Sequence, residues 1–390
     1  MPPYENTDER RRLNCSDYHA AWVCPLPEIE LPSSRLMFDE IHLTPEYDAS
    51  RDSNQYYCGV IAGHNVVMAT LPLGFSGSHH AGRLSGTLFN TFVNIRIALL
   101  IGIGGGVPLP NPCDDPLKDI HLGDVVVGWS QDGKAACIHY GWNRDRGDED
   151  LEILGTMEKG DWIVGQGLAK LVSDHDSGET RFAEHLARLK SDGKFAHPGL
   201  EHDKLFHAAF KHQGEQQSSC ETCSRNPFAL VRRPRRASKH IEQFVFHQGR
   251  IASGNSVVRD GKRRDKISEI CGGVLCVEME AVGVDIHKKY LVIRGISDYA
   301  DSHKSDFWQL HAAGNAAVFA KELLQKITPV VVQRTATDHP DSKLVSHAQN
   351  EQQQRRSLQE GSVFSGTNQT TSGNIKMVGN INLANGNVSF

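Results

Sequence analysis

Long hydrophobic runs are missing from this 390-residue chain. Its longest apolar stretch, Ile97 to Ile103, is far shorter than the roughly 20 residues a bilayer-spanning helix needs, so no membrane span is expected. The opening MPPYENTDERRRLNC is polar and carries no apolar signal-peptide core. An excess of positive charge is missing too. Lys and Arg number 42 against 47 Asp and Glu, a formal net charge of −5, which leaves no electrostatic footprint for nucleic acid. Cysteines number nine, an odd count at irregular spacing, which argues against a disulfide framework and for a reduced, cytoplasmic setting, with nuclear entry left open.

What is present is a strand–helix alternation. Tyr18 to Pro25 reads as a strand and Pro32 to Ile41 as a helix. Cys58 to Ala62 and Asn65 to Thr70 flank Gly63-His64 as a hairpin, Ala81 to Val93 is helix-like, and Ile95 to Ile103 is a buried strand. Val125 to Trp129 is another strand, and alternation resumes from Phe244 to Ile327, the pattern of an α/β domain around a largely buried sheet. The expected organisation is a disordered leader over 1–16, a catalytic domain over 17–328 with a polar, basic insertion at 189–240, a linker over 329–360 and an Asn/Gly-rich tail over 361–390.

Two acids stand at the edges of elements, where open α/β sheets collect ligands. Glu280, in Glu278-Met279-Glu280-Ala281, falls where a strand passes into a helix. Asp298, in Arg294-Gly295-Ile296-Ser297-Asp298, follows an apolar strand. The glycines Gly102 to Gly106 invite a dinucleotide reading, but Val107-Pro108-Leu109-Pro110 follows where a helix would have to begin. They are expected to form an extended loop that lets backbone approach a ligand.

Seven segments, in order, are WVCPLPEIE, GHNVVMATLP, LLIGIGGGVP, DIHLGDVVVG, GRIASGNSVVRDGKRRD, VLCVEMEAVG and VIRGISDYADSHK. In this series the chain resembles the nucleoside phosphorylase superfamily, of the purine/uridine phosphorylase and methylthioadenosine/S-adenosylhomocysteine nucleosidase type, in its fungal branch associated with NLR-like proteins. The resemblance implies a three-layer α/β fold with a twisted mixed central sheet flanked by helices, and cleavage of an N-glycosidic bond. It assigns protonation of the departing purine to Asp298 and the ribose hydroxyls to Glu280. Activation of water falls to an N-terminal acid, Glu30, with Glu28 as the alternative. It further assigns substrate contacts to Glu278, Met279, Ser253, Asn255 and Val258 and to the backbone of Gly102, Gly104 and Gly105. Phosphorylases of the family carry an arginine where this chain has Leu100, and Arg96 lies too far back to replace it, so water is the expected nucleophile. Ile103 and Val257 stand where relatives have a hydroxyl and a base-stacking aromatic.

The resulting expectation is a purine nucleosidase acting on an adenine nucleoside or nucleotide, ATP included, as an immune effector. A phosphate-dependent phosphorylase and an inactive sensing or oligomerisation module are the alternatives. A nucleotide would need cations such as His79, His80, Arg83 and Arg259. No cofactor is expected, although Cys220 and Cys223 with His207 and His212 offer four zinc-type ligands. The run Arg232-Arg233-Pro234-Arg235-Arg236 reads as a solvated charge cluster, an import signal or a phosphate patch. The resemblance also implies a homo-oligomer. In the tail, Gly373-Asn374-Ile375, Gly379-Asn380-Ile381 and Gly386-Asn387-Val388 resemble amyloid-type signalling repeats that would recruit an NLR-like partner.

Overall fold

Period-two alternation places two cores on opposite faces of one sheet. In the first strand, β1 (Ala20–Val23), Trp22 faces one core while Ala21 and Val23 face the other. The computed structural model describes residues 10–130, 133–143, 150–190, 192–214, 220–234, 236, 243–284, 290–330 and 332. Most of the expected leader, nearly all of the expected linker and the whole tail 361–390 with its repeats lie outside these residues.

After β1 come α1 (Glu30–Arg35), β2 (Glu40–His42), the hairpin β3 (Tyr56–Ile61) and β4 (His64–Ala69), α2 (Ser78–Thr91) and β5 (Ile97–Gly106). Then follow β6 (Val125–Gly128), β7 (Cys137–Asn143), β8 (Asp150–Met157), α3 (Trp162–Asp176), α4 (Phe182–Lys190) and α5 (Glu221–Ser224). The chain continues with β9 (Phe246–Ser253), α6 (Gly261–Ile270), β10 (Val274–Glu278), α7 (Ala281–Val284), β11 (Tyr290–Asp298) and α8 (Gln309–Lys326). The strands form a single mixed sheet in the order β2-β3-β4-β1-β5-β11-β6-β9-β7-β8. β10 pairs parallel with β9 and antiparallel with β5, so β5, β11, β6, β9 and β10 close on one another. Leu99, Ile101, Leu291 and Ile293 meet α3, α4 and α8 on one face; Ala98, Leu100, Tyr290 and Val292 meet α2 and α7 on the other. The fold is therefore α/β, a central mixed sheet with helices on both sides. Among the described residues no helix is long and apolar enough to cross a membrane.

Three expectations change. The helix expected over Pro32 to Ile41 stops at Arg35, and Glu40–His42 pairs with β3 instead. Buried Lys321 Nζ holds that chain against α8, donating to Met37 O at 2.7 Å and Asp39 Oδ1 at 2.6 Å, a tertiary contact that overrides local propensity. The glycines expected as a loop are strand: β5 runs through Gly106 because β11 and β10 flank it. The basic run is solvated only in part: Arg232 is exposed and Arg235 lies outside the described residues, but Arg233 and Arg236 are paired. Arg233 Nη1 donates to Asp119 Oδ2 at 3.0 Å and Ile120 O at 2.7 Å, and its Nη2 reaches Asp203 Oδ1 at 3.2 Å. Arg236 Nη2 donates to Asp124 Oδ2 at 2.7 Å, and His247 Nε2 lies 2.9 Å from that same oxygen. The two arginines pin the insertion to the segment that leads into β6.

Candidate active site

One fully buried guanidinium gathers three acids. Arg294, mid-strand in β11, has no exposed surface. Its Nη2 donates to Glu278 Oε2 and to Glu280 Oε2 at 3.3 Å, and its Nη1 lies 3.8 Å from Glu30 Oε1. Each acid is placed by backbone. The turn after β1 folds Glu30 back, so that Oε2 accepts from Leu26 N at 2.7 Å and Oε1 from Ile103 N at 2.8 Å. Glu280 Oε1 accepts from Gly77 N at 2.9 Å, just before α2. Glu278 accepts from the N–H groups of Glu280 and Ala281 at 3.0 Å, and so caps the start of α7.

Three carboxylates against one guanidinium leave excess negative charge in a dry place. Burial pushes the Glu30 carboxyl up to about 8; Arg294 opposes the shift and Glu280 adds to it. Burial raises Glu280 as well, against Arg294 and reinforced by Glu278.

The glycines make the cluster possible. A Cβ on Gly102 would collide with Glu30 Oε1 and Arg294 Nη1, and one on Gly104 with Cys276 Sγ. A Cβ on Gly105 would stand 3.1 Å from Asp298 Oδ1 and 2.8 Å from Ala300 Cβ. Glu30 and Asp298 thus sit on glycines three residues apart, about 10 Å along one strand. Asp298 ends β11 at a register shift against β5, the kind of irregularity that re-aims a side chain beside a site. Its Oδ1 accepts from Ala300 N at 2.9 Å, and its Oδ2 from Ser297 Oγ at 2.9 Å and Lys304 Nζ at 2.7 Å.

Glu30, Glu278, Glu280, Gly102, Gly104, Gly105 and Asp298 therefore come together, while Glu28 is exposed. Glu278, expected on the substrate, instead has no exposed side-chain surface and is engaged by Arg294. Ser253 is fully buried, its Oγ accepting from Val282 N at 3.3 Å, so it positions α7. Val258 is packed in a separate core with Ala252 and Val277. Asn255 Oδ1 accepts from Ser78 N at 3.1 Å and Ser78 Oγ at 2.6 Å, tying the start of α2 to the loop after β9. Met279 is half-buried, Val257 is half-exposed, and Leu100 is core. His79, Arg83 and Arg259 are exposed and His80 half-buried. Sequence reasoning gave no role to Arg294 or Lys304. For Arg294 the available signal was a charge inside an apolar strand, since a buried charge must be paired; Lys304, in the loop after β11, gave none.

No family model matches the chain. Over 322 residues it is 33% identical to a nucleotide-binding leucine-rich repeat (NLR)-like protein of Hyaloscypha variabilis, a match covering 82% of this chain and 30% of that one. The chain thus spans less than a third of that relative. Among solved structures it is similar to a 5'-methylthioadenosine/S-adenosylhomocysteine nucleosidase of Neisseria meningitidis in complex with methylthio-immucillin-A (16% identity, TM-score 0.47, 79% of this chain and 98% of that one). It is also similar to the futalosine hydrolase of Helicobacter pylori (15% identity, TM-score 0.46, 80% and 98%). The solved neighbours are nucleosidases and a futalosine hydrolase.

Proposed function

We propose that the chain is a purine N-glycosidase that uses water to release the base from an adenine nucleoside or nucleotide. The observation that carries this reading is the pair of acid sites on one glycine strand, Glu30 and Glu280 around Arg294 at one end and Asp298 with Lys304 at the other.

The chemistry follows from the charges. As the C–N bond breaks, its electrons leave with the purine and positive charge grows on the sugar. The carboxylate of Glu280 stabilises that charge in a site of low dielectric. Glu30 takes a proton from water as the water oxygen bonds the sugar carbon, and a carboxyl pushed up to about 8 is well matched to this role near neutral pH. Asp298 delivers a proton to the purine nitrogen, Lys304, 2.7 Å away, stabilises the carboxylate left behind, and the proton that Glu30 took from water returns to Asp298 through solvent. One water is consumed, one free base and one sugar are released, and no other reactant is required.

Water rather than phosphate is favoured by where the cations are. Arg294 is enclosed by carboxylates, Leu100 is core, and Arg96 precedes β5 at the far end from Gly102. The likeness to an NLR-like protein supports a role as an effector module in an NLR-type pathway, and exposed His79, Arg83 and Arg259 are the groups we assign to nucleotide phosphates. Partner recruitment through the tail 361–390, self-association and a cytoplasmic location belong to the same reading. The test is to incubate purified chain with adenosine, AMP, ATP and methylthioadenosine, with and without phosphate, and to separate free adenine by chromatography. Adenine without phosphate is expected. A strict phosphate requirement would sink the hydrolase, and no release under any condition would sink the enzyme.

A further inference from the structure

The insertion meets the catalytic loop at a cluster of sulfur and imidazole that the reaction does not use. His212 Nδ1 lies 3.7 Å from Cys220 Sγ and 3.6 Å from Cys223 Sγ. Ligand atoms of His212, Cys223 and His303 all fall within 4.8 Å of one another. Zinc takes sulfur at about 2.3 Å and imidazole nitrogen at about 2.0–2.1 Å, so a tetrahedral ion sets sulfur and nitrogen about 3.5–3.6 Å apart, close to the spacing between His212 and each thiol; Cys220 stands at the edge of the group and reaches it through His212.

His303 supplies a second, independent observation. Its side chain is only 4% exposed, and neither ring nitrogen has a hydrogen-bond partner. An orphaned buried nitrogen costs about 1–3 kcal/mol, which a ligand bond would remove. The ring is held in plane by Phe206, stacked at 3.6 Å and 10°, with Phe210 beyond it. Asp301 Oδ1 stands 3.6 Å from Nδ1, close enough to act as the carboxylate that orients a ligating histidine. Gln213 N donates to Cys223 Sγ at 3.3 Å, and His212 N is fixed on Ser302 Oγ at 2.9 Å. His207, expected as a ligand from the sequence, is exposed and outside the cluster.

We propose that His212, Cys220, Cys223 and His303 bind one tetrahedral Zn²⁺ that fastens the insertion to the loop carrying Lys304. Two thiolates and two neutral imidazoles cancel the ion's charge, which suits a half-buried site, and N/S donors in this number select zinc over hard cations. Each thiol gives up its proton on binding, and no redox step is involved. The role is structural, since all four positions are filled by protein. It also sets Lys304, one residue beyond His303, against Asp298.

The test uses the full chain, produced with added zinc under reducing conditions. Elemental analysis should find about one zinc per chain, falling to below about a fifth in His303→Ala and in Cys220→Ser/Cys223→Ser, while His207→Ala keeps its metal. Since a cysteine variant can fail to fold, Co²⁺ is also added to the chelator-stripped unmodified chain. Intense tetrahedral absorption with a sulfur-to-cobalt charge-transfer band is expected. The proposal is overturned by an unmodified chain that holds no zinc and gives no such spectrum. A Cys220–Cys223 disulfide in the freshly purified chain overturns it too, as does metal lost in His207→Ala but kept in His303→Ala.

Discussion

Among the described residues, two buried charge clusters are built to opposite effect. Around Arg294, three glutamates share one guanidinium, and burial holds Glu30 and Glu280 above the ordinary carboxylate range. Around the insertion, Asp119, Asp203 and Asp124 meet Arg233 and Arg236, with His121 and His247 alongside. Burial there also disfavours the charged acids, but the His121 hydrogen bond and Arg233 outweigh it and hold Asp203 low. The His247 hydrogen bond and Arg236 do the same for Asp124. Cation supply separates a cluster that can exchange protons from one that only fastens chain segments. Burial alone does not separate them.

The comparison can be broken most sharply at the acids. Asp298→Asn and Glu280→Gln should each lower base release by roughly 10²–10⁴-fold with the circular dichroism spectrum retained; unchanged turnover in either removes it from the mechanism. Next in size, Arg294→Met should destabilise the fold by about 3–5 kcal/mol in urea, because it strands buried carboxylates. Arg236→Met should cost on the order of 3 kcal/mol for the same reason, yet leave kcat within about twofold. A comparable loss of kcat would mean the insertion cluster is not merely structural.

Titration sharpens the contrast further. Base release should rise with pH towards a midpoint near about 8, as Glu30 loses its proton, and the limb should vanish in Glu30→Gln. Because Glu30 and Glu280 interact, the midpoint belongs to the pair. The stability signs also oppose. Glu30, raised in the folded chain, contributes stability present in acid and lost as pH rises through about 8; Asp124 and Asp203, lowered, contribute stability present above the ordinary carboxylate range and lost on acidification. Smallest of all, Glu28→Gln should change kcat by less than about twofold, as expected of an exposed acid outside the cluster.

Much of this was legible from sequence, for identifiable reasons. Apolar runs such as Ile97 to Ile101 announce buried strands, and Gly63-His64 announces a hairpin. The acids Glu280 and Asp298 stood out because they interrupt such runs at element edges. Three things were hidden by depending on distant partners. Gly102 to Gly106 are strand only because β11 runs beside them and β10 returns to pair with Gly105 and Gly106. Arg233 and Arg236 are held by Asp119 and Asp124, more than a hundred residues away, and by Asp203, thirty residues away, partners that no local pattern announces. His303 meets Cys223 across some eighty residues, a spacing that no local ligand pattern covers.

The most direct test is the origin of the oxygen on the released sugar. Base release from an adenine nucleoside in ¹⁸O-water, without phosphate, should place one labelled oxygen on each sugar product, and Glu30→Gln should slow formation of that labelled product by roughly 10²–10⁴-fold. Release that requires phosphate and yields an unlabelled sugar phosphate would contradict hydrolysis at the Glu30–Arg294–Glu280 cluster.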